Sequence, residues 1–433
     1  RILFRRRDHR SIFSSSIERK QNNAGPSHQT SAPLTTVLMS KAITKYLAKY
    51  SEDDIHNLKL PAGTFEQALV IPAYAEDPRF IATTRLNESP GVLGIIIVNR
   101  PENAPLKSSQ KTFELLEYLK KINQPNLLII DRANEPINSK HGVGLARKIG
   151  TDLALKMYAA QQIKSPWIRQ TDADASLDTQ YFQTTMPTEG AVVYKHKHQA
   201  TDPKVSRAIT LYDAHMSYYV SALKSKGSRY AFPTLGSTIA IHAKTYAQVR
   251  GYPKRNAGED FHLLNKVAKT KSVHYSNDST VVLEARTSDR VPFGTGPSIK
   301  KIIALLEEDP SGISYLSHDF QVFNLLGYAL KQMAQLAETP SVTDPEIKSI
   351  LKDLGFGKIN NVLHQKYHSI DQRLEVINNW FDGLKTLRFI HAAEKKYPKQ
   401  PLLSSLRNLP KPILTGIFQH NTELKTLLQE SQL

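Results

Sequence analysis

The sequence predicts an α/β fold: a mixed, mostly parallel sheet flanked by helices, followed by an α-helical C-terminal region. Three observations carry this. Continuous apolar runs at residues 68–71, 94–98 and 127–130 read as strands buried on both faces, which is the mark of a parallel sheet. Helical-period stretches separate them, the βαβ order that brings successive strands side by side. Beyond about residue 297 the strand signal stops and only helical stripes remain.

Taken in order, residues 1–40 are rich in Arg, Ser, Asn and Gln and show no sustained period, so a disordered basic tail is expected there. That stretch holds Arg1, Arg5, Arg6, Arg7, Arg10, Arg19 and Lys20 against Asp8 and Glu18. It therefore contributes +5 of the net +17 and leaves +12 for the rest. A start at Met39 is an alternative reading of the same stretch. The α/β domain is expected over 62–296 and the helical region over 297–433.

Between the second and third strands, Phe113, Leu116, Leu119 and Ile122 fall on one helical face. After residues 141–144 a second helix carries Ala146, Ile149, Leu153, Met157 and Ala160 on an apolar face, with Lys148, Asp152 and Lys156 together on a polar one. In the C-terminal region Leu316, Phe320, Phe323, Leu326, Leu330 and Met333 form a stripe. Asp344-Pro345 reads as an N-cap with Pro at the first helical position. Residues 370–393 are again helix-like.

Composition bounds the function classes. Hydrophobic content of 40% and charged content of 22% are those of a globular chain. No apolar run approaches the roughly 18–20 residues that span a bilayer, and no apolar segment follows the first arginines, so neither a membrane span nor a signal peptide is expected. The absence of cysteine excludes disulfides, thiolate metal sites and thiol nucleophiles, and fits a cytoplasmic protein, with peripheral membrane contact left open by the basic surface. Net charge of +17 favours anionic partners: nucleic acid, lipid headgroups or phosphorylated substrates.

In an open α/β sheet, ligands sit outside the carboxyl ends of the strands. RQTDADASLD (169–178) falls at that edge and places Asp172 and Asp174 two residues apart, so both point the same way. Two such carboxylates repel unless a cation or proton lies between them. They read as a metal clamp, a phosphoryl-transfer nucleophile with its partner, or a solvated turn. AGEDF (257–261) offers Glu259 and Asp260 at a helix start, where acids also complement the helix dipole. EARTSDRVPFGTG (284–296) is a basic loop, and His196 and His198 in YKHKH share one strand face, a ligand spacing for which no third ligand is evident.

Taken together, these pieces resemble glycosyltransferase family 2, enzymes of the GT-A nucleotide-sugar fold. ALVIPAYAEDP (68–78) resembles the family's opening strand and loop, and GIIIVNRPENAP (94–105) its second strand. KHGVGLARKIGTDLAL (140–155) resembles the Gly-rich turn and following helix, and RQTDADASL (169–177) the DxD element. GSTIAIHAKTYAQVRGYPKRNAGEDFHLLNKV (236–267) resembles the acceptor-side segment ending in Glu-Asp. The likeness covers roughly residues 66–296 by motif order.

The resemblance implies a metal-dependent, inverting transfer of a sugar from a UDP- or GDP-linked donor to an acceptor hydroxyl. It implies manganese or magnesium on Asp174 and Asp172, with Asp172 also leaning toward the ribose. It implies Asp260 as general base, supported by Glu259, and donor contacts from Pro72, Ala73, Tyr74, Glu76, Asn99, Gly144, Arg147 and Arg290. Arg286 is the alternative to Arg290 on the diphosphate, and Asp131 a competitor for base or ribose. Two departures from the family pattern are Ala75, where Asn is commoner, and Asn99, where Asp is frequent; both bear on the donor's base.

The acceptor is not indicated. Rival readings are a haloacid-dehalogenase-type phosphatase using Asp172 and Asp174, and a non-catalytic binding module. The first requires an apolar strand where Ile168-Arg169-Gln170-Thr171 is largely polar, and leaves residues 68–150 unexplained. A nucleic-acid-binding protein is the third rival, but no recognised module of that kind appears, so specific nucleic-acid binding is not expected.

Overall fold

A computed structural model describes residues 40–420, apart from 59, 123, 289–293 and 340–341, together with 424 and 428. The expected basic tail thus lies outside the described residues. The three apolar runs become β1 (Gln67–Ala73), β2 (Val92–Pro101) and β3 (Leu127–Ile137), paired in parallel. They are longer than the runs because their ends are polar yet still paired, as in Asn99 opposite Arg132. The sheet continues with β4 (Trp167–Gln170), β5 (Ala175–Leu177), β6 (Ala191–Gln199), β7 (Ile239–His242) and β8 (Val273–Glu284). Its order is β3-β2-β1-β4-β7-β6-β8-β5, parallel from β3 to β4 and mixed beyond.

Helices α1 (Lys41–Lys49), α2 (Phe80–Thr83), α3 (Leu106–Ile122), α4 (Gly142–Ala159), α5 (Pro203–Ser225), α6 (Ala243–Gln248) and α7 (Glu259–Thr270) accompany the sheet. On α3 the buried side is Thr112, Leu115, Leu116 and Leu119, rotated slightly from the expected stripe; Phe113 and Ile122 are half-buried. The rotation turns Thr112 inward, where its hydroxyl accepts a bond from the Ala75 amide just past β1.

The polar face expected on α4 is not solvated. Lys148 and Asp152 are buried, because α1 covers them with Tyr46. Asp152 accepts bonds from Tyr46, Tyr246 and Lys148, at 2.7 Å each, and from the Glu52 amide at 2.9 Å. Burial pushes its pKa up despite these donors. The apolar face of α4 behaves as expected, with Ala146, Ile149, Leu153 and Met157 fully buried against the sheet, while Ala160 is exposed.

The C-terminal region is helical: α8 (Thr295–Glu308), α9 (Phe320–Gln335), α10 (Pro345–Asp353), α11 (Gly357–Lys366), α12 (Ile370–Trp380), α13 (Gly383–Ala393), α14 (Leu402–Arg407) and α15 (Lys411–His420). One short antiparallel pair, β9 (Leu316–Ser317) with β10 (Gln400–Pro401), joins it, so Leu316 leaves the expected stripe and is exposed. Asp344 does cap α10, accepting from the Glu346 and Ile347 amides, with Pro345 at the first position. Residues 370–393 form two helices rather than one, divided where Asp382 caps α13. These helices share a second apolar core with α5, separate from the cores on the two faces of the sheet.

Candidate active site

The strand order 3-2-1 turns to 4 beside β1, which makes the carboxyl ends of β1 and β4 the switch point where a crevice opens. Tyr74 and Glu76 follow β1 there, and Asp172 and Asp174 follow β4. Pro72 and Ala73, expected in the loop, are instead the last residues of β1. Ala73 is fully buried in a core cluster with Ile71 and Val98. Ala75 holds φ at 53°, a left-handed conformation that Asn, the commoner residue in the family pattern, adopts more readily than Ala.

Arg147 organises the cluster. It stands in the first turns of α4 and is 3% exposed. Its Nε donates to Glu259 Oε1 at 2.9 Å and one terminal nitrogen donates to Asp172 Oδ1 at 2.6 Å. Burial alone would lower the pKa of this guanidinium, but the carboxylates of Asp172 and Glu259 outweigh that and hold it above its ordinary value. Arg147 was expected to touch the nucleotide. Two of its nitrogens are instead spent on protein carboxylates, and Nη1 is buried with no hydrogen-bond partner among the described residues. The Gly144 amide donates to Arg255 O at 2.9 Å. A Cβ there would lie 2.5 Å from that oxygen, so the glycine lets α4 pack closely against residues 253–255.

The acids of AGEDF are placed by a left-handed glycine. Gly258, at φ 70°, caps α7 and turns its first residues inward. Glu259 is 4% exposed and held by Arg147; Asp260 accepts the Phe261 amide. Burial, with the charge of Glu259 added, pushes the Asp260 carboxyl up to about 7. A second guanidinium, Arg286 just beyond β8, spans Glu76 at 2.7 and 3.2 Å and reaches Asp174 Oδ2 at 3.2 Å. Among the described residues, Arg147 and Arg286 thus bridge four carboxylates, those of Glu76, Asp172, Asp174 and Glu259.

Buried polar atoms line the same edge. Asn99 Oδ1, both amide atoms of Gln170 and Thr171 Oγ1 have no hydrogen-bond partner among the described residues. Leaving such groups unpaired costs roughly 1–3 kcal/mol each. Gln170 and Thr171 were missed in the sequence reading because they look like ordinary polar strand residues. Asp131 accepts the Ala133 and Asn134 amides and the Asn134 side chain. Arg290 lies outside the described residues.

Asp172 and Asp174 supply hard oxygens, as manganese or magnesium requires, but no third protein ligand is grouped with them among the described residues. Two carboxylates plus substrate phosphates is the usual way magnesium-type ions are held, so the donor set fits such an ion.

No family model matches this chain, and no curated protein matches it. Similar solved structures include GalNAc-T7 with UDP, GalNAc and Mn2+, at 13% identity and TM-score 0.33, covering 70% of this chain and 58% of that one. They also include the mannosyltransferase PcManGT from Pyrobaculum calidifontis in complex with GDP-Man and Mn2+, at 13% identity and TM-score 0.33, covering 80% of this chain and 94% of that one. At this distance the chemistry of the site is read from its own residues.

Proposed function

We propose that the protein is a metal-dependent glycosyltransferase acting on a nucleoside-diphosphate sugar, with a GT-A-type fold and inversion at the anomeric carbon. The observation that carries this reading is the meeting of Asp172, Asp174, Glu259 and Asp260 at the switch point of the sheet, with the Asp260 pKa raised to about 7. Asp260 is then tuned to take a proton near neutrality, which is what attack by an acceptor hydroxyl needs. As the acceptor oxygen bonds the anomeric carbon, its proton passes to Asp260 and the bond from that carbon to the phosphate oxygen breaks. Glu259, fixed by Arg147, keeps the base pKa high and is a positioning residue. Tyr74 and Asn99 border the space for the nucleoside, where the unpaired Asn99 Oδ1 accepts an N–H from the base. A divalent cation held by Asp174 and Asp172, when bound, neutralises charge on the departing diphosphate.

Calorimetry with UDP and GDP, each with and without manganese, tests the donor site. The expected result is that one nucleotide binds only with manganese and that Asp174→Asn removes this binding while the protein stays folded. Manganese-dependent binding unaltered in Asp174→Asn, or no binding of either nucleotide, overturns the assignment.

The base assignment also carries a pH dependence. Because Asp260 must be ionised to accept a proton, the rate of nucleoside-diphosphate release rises with pH through about 7. Glu259 is the charge that adds to burial in raising that pKa, so Glu259→Gln moves the rising limb to lower pH. A limb that stays in place removes Glu259 from the tuning.

A further inference from the structure

His196 and His198 lie on β6, opposite Val281 and Leu283 of β8. Their side chains leave the same face of the strand, and their rings sit 5.5 Å apart, nearly perpendicular at 80°. Helix α5 packs on that face and brings Asp213 to them, so that His198 Nδ1 and Asp213 Oδ1 are 2.7 Å apart. One ligand atom from each of His196, His198 and Asp213 falls within 4.8 Å of the other two. Among the described residues no other trio of metal-type ligands does so.

We propose that His196, His198 and Asp213 form a site for a borderline-soft divalent cation of the zinc type, distinct from the carboxylate pair after β4. The donor set decides the class. Two imidazole nitrogens and one carboxylate oxygen suit zinc, whereas the Asp172–Asp174 pair offers only hard oxygens. In a chain without cysteine, imidazole is the softest strong ligand available. Ligands at 2.0–2.1 Å in a tetrahedron lie about 3.3 Å apart, so atoms that stand within 4.8 Å of one another close in as the cation binds. The 2.7 Å His198–Asp213 contact therefore opens by roughly half an ångström, giving up its shared proton as the cation enters. The site is framed on one side by Tyr212, whose ring meets His198 edge-on at 6.2 Å. On the other side His196 forms part of the wall of a cavity of about 1550 Å³, with Met216, Ser217 and Val220 of α5.

The test uses the full chain stripped with a chelator and titrated with Co2+, whose intense visible bands in a tetrahedral field report the site, followed by competition with Zn2+. The expected result is one tetrahedral cobalt per chain, displaced by zinc. Zinc affinity falls at least about 10–100-fold in both His196→Gln and Asp213→Asn, and is unchanged in Asp174→Asn. His196 is half-buried at the cavity wall, so its replacement leaves the fold intact; zinc then raises the melting temperature of the natural chain but not of His196→Gln. Absence of tetrahedral bands, or equal zinc affinity in all three variants, makes the trio an ordinary histidine–aspartate hydrogen bond and overturns the proposal. Neither outcome depends on whether the carboxylate site transfers sugar.

Discussion

Asp260→Asn is expected to lower transfer by about 10²–10⁴-fold, the usual worth of a positioned general base, while leaving manganese-dependent nucleotide binding in place. The same variant is expected to be more stable than the natural chain above pH 7. The sign follows from the proton count. Burial and Glu259 raise the Asp260 pKa from an ordinary 3.8 to about 7. Between those values the folded chain keeps a proton that the unfolded chain has lost, so stability declines as pH rises through that window. Asparagine holds no such proton and escapes the decline. A gain of up to about 4 kcal/mol, at about 1.4 kcal/mol for each unit of the rise from 3.8 to about 7, should appear as a higher melting temperature at pH 8 and largely vanish near pH 4. Transfer is read as nucleoside-diphosphate release, and stability by thermal melts at both pH values. Full transfer by Asp260→Asn would remove the residue from the chemistry, whereas a fall in transfer with lost stability at pH 8 would recast it as structural.

Arg147→Met is expected to have the largest effect on folding. The guanidinium is 3% exposed and bridges Asp172 and Glu259, which are drawn from different parts of the chain. Removing it leaves Glu259, itself 5% exposed at the side chain, as a buried charge without its partner. Breaking a buried pair in this way costs roughly 3–5 kcal/mol, which urea unfolding measures directly. Asp172 is 34% exposed at its side chain and can hydrate, so most of the loss should trace to Glu259. The double variant Arg147→Met with Glu259→Gln is accordingly expected to recover the greater part, since removing both partners deletes the uncompensated charge. If the double variant is as unstable as the single one, the loss comes from packing of the arginine stem and not from electrostatics.

Arg147 also explains why a close carboxylate cluster is tolerated in the fold before any ligand arrives. Arg147 and Arg286 each clasp two acids. For Asp260, burial and the charge of Glu259 raise the pKa, which is the property a base requires.

The sequence by itself determined what depends on near neighbours along the chain. Continuous apolar runs marked β1, β2 and β3, helical periods marked α3 and α4, and the Asp344-Pro345 pair marked the start of α10. The two-residue spacing of Asp172 and Asp174, and the placing of Glu259 and Asp260 at a helix start, were likewise legible, because periods of 2 and 3.6 leave a trace in adjacent residues. Tertiary structure alone decided which charges meet. Glu259 finds Arg147 across 112 residues and Glu76 finds Arg286 across 210, distances at which no period survives. The same reason accounts for α1 burying the polar face of α4, for the amide of Gly144 being spent on Arg255, and for Asp213 completing the histidine pair on β6. Desolvation, which sets the Asp260 pKa, exists only once those distant elements have closed over it.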